Sequence, residues 1–90
     1  MSVNKFSNSK VYKIYSLETD KIFIGTTTRS LEQAYASHRN LRNRCPSKKI
    51  LVHMDSDIML IENFTCSSKE ELKQRENYYI EKYRDIAVNK

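Results

Sequence analysis

Residues 10–25, KVYKIYSLETDKIFIG, hold two short runs rich in β-branched and aromatic residues, with a polar cluster between them. The run at 10–17 alternates in the way that predicts a strand, and a second run of this kind starts at Ile22. The polar residues 18–21 predict a turn of about four residues between the two runs. We therefore expect an antiparallel hairpin in which Leu17 pairs with Ile22.

Two capping boxes predict the starts of two helices. Ser30 precedes Gln33, and Ser68 precedes Glu71, at the spacing that lets the two side chains cap one helix start. The first helix is expected to end before Pro46, because a residue that precedes proline rarely takes helical geometry. The second helix is expected to run to about Tyr83 or Arg84.

A third strand and an extended tail complete the predicted order. Residues 58–64 are apolar enough for a central strand, residues 47–53 are expected to form a short helical segment, and residues 86–90 extend beyond the second helix. The order strand, strand, helix, strand, helix is typical of an α/β (α+β) sandwich with a mainly antiparallel sheet. Residues 1–9 are polar and aperiodic, so we expect a flexible tail and then a single domain at 10–90.

Composition narrows the class of protein. The 90 residues include 16 Lys and Arg against 11 Asp and Glu, and the net charge of +5 suits nucleic acid or an acidic membrane surface. No apolar run approaches the roughly 18 residues of a membrane span, and the N-terminus lacks the apolar core of a secretory signal, so we expect an intracellular protein. Cys45 and Cys66 lack the spacing of a zinc site and are expected to be ordinary thiols.

The positive charge is concentrated on one part of the chain. Basic residues cluster between His38 and Lys49, whereas acidic residues concentrate at 55–62 and 70–76. One basic flank is what a surface that follows a phosphate backbone needs. The candidates for contact with a phosphate backbone are the basic side chains of Lys13, Arg39, Arg42, Arg44, Lys48 and Lys49.

Three polar side chains are candidates for chemistry. Glu76 lies on the stripe of the second helix that should face the sheet, where a carboxylate is costly unless it forms an ion pair, reaches solvent or binds a metal ion. Tyr12 and Phe23 are expected on one sheet face, with the Tyr12 hydroxyl either packed or accessible. His38 is either a residue at the margin of the core or a functional group. The residues alone leave these alternatives open.

Several short motifs follow one another along the chain. They are KVY (10–12), TDKIFIGTT (19–27), SKK (47–49), KEELKQRE (69–76) and VN (88–89). This series, with His38 on the first helix, resembles the GIY-YIG nuclease domain over about residues 10–90, and it is most similar to the small standalone members found in large DNA viruses. The resemblance implies a three-stranded antiparallel sheet flanked by helices, and metal-dependent hydrolysis of DNA phosphodiester bonds, in a host cell if the chain is viral.

The resemblance also implies a role for each matching residue. The implied catalytic set is Tyr12, Phe23, Ala34, His38, Glu76 and Asn89. Glu76 is the implied ligand for one Mg²⁺ or Mn²⁺ ion, and Tyr12 is the implied general base. A free tyrosine has a pKa near 10, so Tyr12 would need a cation close by, such as the metal ion or the basic residues around Lys13. His38 would hydrogen-bond the attacking water or the phosphate.

Three positions depart from the family pattern. Phe23 stands where the family has its second tyrosine, Ala34 where it has an arginine, and Lys10 where the first motif has a glycine. The arginine is the larger loss, because an arginine that stabilises the transition state of phosphoryl transfer is worth about 10³–10⁵ in rate. We therefore predict an endonuclease that is impaired in this form. The alternatives are a DNA-binding module that does not cut and a basic protein-interaction domain, and the sequence leaves both monomer and homodimer open.

Overall fold

A computed structural model describes residues 8–39, 50 and 55–88. In these residues the elements are β1 (Lys10–Ser16), β2 (Thr19–Thr27), α1 (Leu31–Arg39), β3 (Asp57–Asn63) and α2 (Lys69–Lys82). The three strands form one antiparallel sheet in the order β2-β1-β3. The predicted fold class, a three-stranded antiparallel sheet flanked by helices, is confirmed.

The turn between β1 and β2 is shorter than the sequence pattern predicts. Leu17 and Glu18 alone join the two strands, so the predicted turn at 18–21 is wrong. Asp55 holds this turn, because its carboxylate accepts hydrogen bonds from the Ser16 hydroxyl and from the Leu17 amide. The polar residues after Glu18 therefore belong to β2, since a contact from a distant segment replaces the longer loop.

The register of the hairpin also differs from the predicted one. Ile14 pairs with Phe23, whereas pairing of Leu17 with Ile22 would place Phe23 two residues further along β1. A shift of two residues keeps every side chain on its own face of the sheet. Tyr12 and Phe23 therefore share a face, as predicted, although the register behind that prediction is wrong.

β1 is the central strand, and the prediction of a central strand at 58–64 is wrong. β3 pairs with β1 and lies at one edge of the sheet, with Met59 and Leu60 exposed. An apolar run of this length does not distinguish an edge strand from a central one, because pairing partners decide the position. At the other edge, a parallel bridge joins Ile22 of β2 to Ala87.

The two helices cover opposite faces of the sheet. α1 packs Ala34 into a cluster with Tyr12 and Phe23, whereas α2 packs Tyr79 into a second cluster with Val11. Successive residues of a strand point to opposite faces, so neighbours on β1 serve different cores. None of the described helices is both long enough and apolar enough to cross a membrane.

The helix starts follow the predicted caps. The Ser30 hydroxyl accepts the Gln33 amide at 3.2 Å, and the Ser68 hydroxyl accepts the Glu71 amide at 3.3 Å. The Glu71 carboxylate bonds Ser67 rather than completing the box at Ser68. Each cap satisfies an amide that a helix start leaves unpaired.

Parts of three predicted segments lie outside the described residues. These parts are residues 1–7 of the tail, residues 47–49 and 51–53 of the short helical segment, and residues 89–90 at the C-terminal end. Ser9, which the prediction assigned to the tail, is buried, and its carbonyl accepts the Phe64 amide at 2.8 Å. The ordered sheet therefore includes contacts from the residue that precedes β1.

Candidate active site

Tyr12 and His38 form a buried polar pair on the sheet face that α1 covers. Tyr12 comes from the central strand and is 3% exposed, and His38 comes from the last turn of α1 and is 9% exposed. The Tyr12 hydroxyl oxygen lies 2.6 Å from His38 Nε2. When His38 is neutral with its proton on Nδ1, the Tyr12 hydroxyl is the donor of this hydrogen bond and Nε2 is the acceptor.

Phe23 packs against the His38 ring from the side. The two ring centroids lie 4.9 Å apart with an interplanar angle of 66°, which is an edge-to-face contact. Aromatic pairs of this geometry are favourable beyond the area that they bury. Phe23 thus restricts the orientation of the imidazole and adds no polar group of its own.

Gly25 makes room for the Tyr12 ring. The two residues pair across β1 and β2. A Cβ atom at residue 25 would lie 2.5 Å from the ζ-carbon and the hydroxyl oxygen of Tyr12. Carbon atoms in contact prefer about 3.5–4.0 Å, so any side chain at this position would displace the ring. The glycine is therefore required by a neighbouring side chain, since no described residue has a positive φ.

We predict that Gly25→Ala lowers the free energy of unfolding by about 1–3 kcal/mol, because the Tyr12 ring must leave its position. Chemical denaturation of the parent, Gly25→Ala, Tyr12→Leu and the double variant measures the coupling between the two sites. In the Tyr12→Leu background the glycine substitution should cost less than about 1 kcal/mol, since the ζ-carbon and hydroxyl are gone. If Gly25→Ala lowers the free energy of unfolding equally in both backgrounds, the glycine is required by the strand backbone and not by the Tyr12 ring.

Ala34 lies one helical turn before His38 and beside the buried pair. It is 8% exposed, and together with Tyr12 and His38 it lines a cavity of about 170 Å³. The same methyl group also packs in the apolar cluster under α1. Ala34 therefore stands at the boundary between the core and this cavity.

Glu76 lies on α2, on the opposite side of the sheet from the buried pair. Its Oε2 accepts a hydrogen bond from the Thr26 hydroxyl at 3.4 Å, and it faces a cavity of about 570 Å³. Burial raises the pKa of the Glu76 carboxyl above its ordinary value, against smaller opposing effects of the Thr26 hydroxyl and the Lys73 charge. No ion pair among the described residues includes this carboxylate.

The two cavities share three lining residues at the end of β2 and in the loop that follows it. Thr26, Thr27 and Arg29 line both of them. Thr26 and Thr27 are neighbours on a strand, so their side chains point to opposite faces of the sheet. We call these three residues the shared wall. Although the buried pair and Glu76 lie on different faces, both therefore open onto the same polar segment.

Comparison with known protein families adds an independent observation. The family model described as the GIY-YIG catalytic domain matches residues 8–90. The chain belongs to the GIY-YIG family. This is a family of nucleases that act on DNA. Comparison with curated proteins and with solved structures gave no significant match.

The described residues of the predicted catalytic set lie in two groups. Tyr12, Phe23, Ala34 and His38 form one group around the buried pair. Glu76 forms the other with Thr26. The sequence resemblance implied one catalytic set but carried no information on which sheet face each member occupies, because that depends on how the helices pack.

Lys13 does not lie beside the Tyr12 hydroxyl. It is the next residue of the same strand, so its side chain leaves from the opposite face, where its Nζ lies 5.7 Å from the Tyr15 ring centroid. Of the basic residues in this part of the strand, Lys13 itself therefore does not supply the cation expected beside Tyr12. Arg39 is exposed at the end of α1, with its guanidinium 5.6 Å from the Tyr35 ring centroid. The other predicted site residues lie outside the described residues: Arg42, Arg44, Lys48, Lys49 and Asn89.

Arg75, the neighbour of Glu76, has a structural role in this GIY-YIG domain. Its guanidinium forms an ion pair with Glu62 of β3, through Nε and Nη2, and lies 4.6 Å from the Tyr78 ring centroid. This pairing lowers the pKa of the Glu62 carboxyl. Arg75 thus links α2 to β3, and the Glu62 carboxylate balances its positive charge.

The other residues that line the Glu76 cavity were not predicted from the sequence as site residues. They include Thr26, Arg29, Lys69 and Lys73. The available signal was the run TTTR at 26–29, directly after the glycine of the second motif. A polar run between a strand and a capped helix places its side chains at the end of a sheet, where binding sites are common.

The Glu76 cavity offers oxygen ligands of the kind that Mg²⁺ and Mn²⁺ prefer. Mg²⁺ is usually bound by one or two carboxylates, with water and substrate phosphate as the other ligands. Glu76 supplies one carboxylate without a competing ion pair among the described residues. In that same part of the chain, no group of three or more His, Cys, Asp or Glu converges. The donor set therefore fits a hydrated Mg²⁺ or Mn²⁺ ion held by one protein carboxylate.

Proposed function

We propose that this GIY-YIG domain is a metal-dependent DNA endonuclease whose rate is lowered by Ala34 and Phe23. The observation that carries the proposal is the shared wall, onto which both the Tyr12–His38 pair and Glu76 open. Along this one polar segment lie a pair of side chains that can accept a proton and a carboxylate that can bind a metal ion. Hydrolysis of a phosphodiester needs both functions near the same phosphate.

Tyr12 is the proposed general base, and His38 is the group that accepts its proton. The 2.6 Å hydrogen bond lets Nε2 take the hydroxyl proton as the phenolate oxygen takes a proton from the attacking water. The transfer requires a neutral imidazole whose Nε2 lone pair faces the Tyr12 hydroxyl. The edge-to-face contact with Phe23 keeps the imidazole in the orientation that this transfer requires.

Glu76 is the proposed ligand for one Mg²⁺ or Mn²⁺ ion. When bound, such an ion stabilises negative charge on the phosphate as a Lewis acid. The protein contributes a partly buried carboxylate whose position is set by the Thr26 hydroxyl. Lys69 and Lys73 line the same cavity and attract the DNA backbone towards it.

A DNA-binding module that does not cut is the second candidate. Ala34 and Phe23 favour it, because each lacks a polar group that the family pattern has at that position. The shared wall and its basic neighbours serve this candidate equally well, whereas the Tyr12–His38 pair has no role in it beyond packing. For either candidate we propose action on intracellular DNA, in a host cell if the chain is viral.

Cleavage of plasmid, hairpin and branched DNA tests the proposal. With Mg²⁺ or Mn²⁺ we expect slow nicking by the parent protein, loss of nicking with EDTA, and at least about 100-fold slower nicking by Tyr12→Phe. Tyr15→Phe is the matched control, because it removes the same group from the other face of β1, and its rate should stay within about twofold. A folded parent that binds DNA and cuts none of these substrates would favour the second candidate.

A further inference from the structure

Arg29 is the one described Lys or Arg that lines both cavities. It is exposed in the loop between β2 and α1. Its guanidinium forms no ion pair and no hydrogen bond with any described residue. Its positive charge is therefore available to a ligand, in contrast to that of Arg75.

The backbone of Arg29 is held on both sides. Its amide donates to the Thr27 hydroxyl oxygen at 3.0 Å, and its carbonyl accepts from the Lys10 ammonium at 3.2 Å. The same ammonium donates to the Asn8 carbonyl at 2.9 Å. A loop that is ordered before binding loses less conformational freedom when a ligand arrives.

At residue 34, α1 presents only a methyl group to the Tyr12 cavity, which Arg29 also lines. Gln33 of α1 lines the same cavity, and its amide carries no charge. A guanidinium has a planar fork that places two N–H groups on two oxygens of one phosphate. Arg29 is thus the lining residue with the charge and shape to take up a phosphate beside the Tyr12–His38 pair.

We propose that Arg29 is the phosphate-binding cation of this site and replaces the arginine that the family pattern has at Ala34. The inference rests on the proposed function, because the phosphate is taken to belong to a DNA backbone. It also gives a reason for Lys10, which stands where the first family motif has a glycine. Its ammonium holds the carbonyl of Arg29 and so fixes the loop that carries the guanidinium.

Titration with inorganic phosphate, followed by NMR, is the first readout. In the parent the largest shifts among the described amides should fall at residues 27–30. Arg29→Ala should weaken phosphate affinity by about tenfold, since it removes charge-assisted hydrogen bonds. Arg84→Ala is the matched control. It removes an exposed arginine beyond α2 that lines neither cavity, and it should leave the affinity unchanged.

Cleavage of plasmid DNA with Mg²⁺ or Mn²⁺ is the second readout. Arg29→Ala should slow cleavage by at least about 100-fold, because the charge that develops on the phosphate loses its partner. Arg29→Lys should retain part of the rate, since it keeps the charge and loses the fork. Arg84→Ala should stay within about twofold of the parent.

The two readouts separate this inference from the proposed function. Phosphate affinity that does not change in Arg29→Ala would overturn the assignment of Arg29, whether or not the parent cuts DNA. Cleavage that does not change in Arg29→Ala, in an active parent, would overturn it as well and leave the endonuclease standing. A parent that never cuts, with phosphate affinity that depends on Arg29, would support the phosphate site and overturn the endonuclease.

Discussion

Glu76→Gln is expected to abolish binding of Mn²⁺ and to slow metal-dependent cleavage by at least about 10³-fold. Glutamine keeps the size of the side chain and an oxygen that can accept the Thr26 hydroxyl. It removes the negative charge, which is the property that a hard divalent cation requires. The loss should therefore come from the metal ligand and not from a change in the fold.

The same substitution should slightly stabilise the folded protein at neutral pH. Burial raises the pKa of the Glu76 carboxyl in the folded state, so ionisation favours the unfolded state. In the parent, this destabilising contribution disappears as the pH falls through the folded-state pKa towards the unfolded value. Glu76→Gln should remove that pH dependence and raise the free energy of unfolding at pH 7 by a small amount, because the carboxylate is only partly buried.

Calorimetric titration with Mn²⁺ and denaturation at several pH values test both effects. Glu81→Gln is the matched control, because it makes the same change at an exposed position of α2. It should bind Mn²⁺ like the parent. If Glu76→Gln keeps the parent's Mn²⁺ affinity, the metal lies elsewhere and Glu76 is a structural carboxylate.

Ala34→Arg is expected to raise metal-dependent nicking by about 10²- to 10³-fold. Ala34 lines the cavity that contains the Tyr12–His38 pair, so an arginine stem leaving it has space to carry a guanidinium to a bound phosphate. Because the methyl group also packs in the core, the substitution should cost about 1–3 kcal/mol of stability. The increase in rate should still require Tyr12 and Glu76, since the new group supplies neither base nor metal ligand.

Relaxation of supercoiled plasmid by the parent, Ala34→Arg and Ala36→Arg measures this effect. Ala36 is exposed on the same helix, so Ala36→Arg adds the same charge away from the cavity and should change the rate by less than about twofold. In the Arg29→Ala background, Ala34→Arg should give the larger increase, because two groups that serve one phosphate act non-additively. A folded Ala34→Arg variant that binds Mn²⁺ and cuts no DNA structure would favour the module that does not cut.

Local sequence patterns were sufficient to predict the strands and helices of this fold and their order along the chain. Both caps at Ser30 and Ser68 were predictable, because a hydroxyl that accepts an amide three residues later depends only on nearby sequence. The pairing of the strands was harder to predict from the sequence. The true turn at Leu17 and Glu18 is stabilised by Asp55, a contact between residues far apart in the sequence, and a pattern of alternation does not contain that information.

The candidate site likewise has features that could be predicted from the sequence and features that only the tertiary structure decided. The prediction of a set that contains Tyr12, Ala34, His38 and Glu76 rests on the resemblance to the GIY-YIG pattern, since residue types and spacing alone left the roles of these side chains open. Only the tertiary structure decided that Tyr12 and His38 form a buried hydrogen bond and that Glu76 lies on the other face of the sheet. The physical reason is that alternation along β1 assigns two faces, but the packing of each helix decides which face it covers. The same packing places Arg29, an unremarkable residue in the sequence, where both cavities meet.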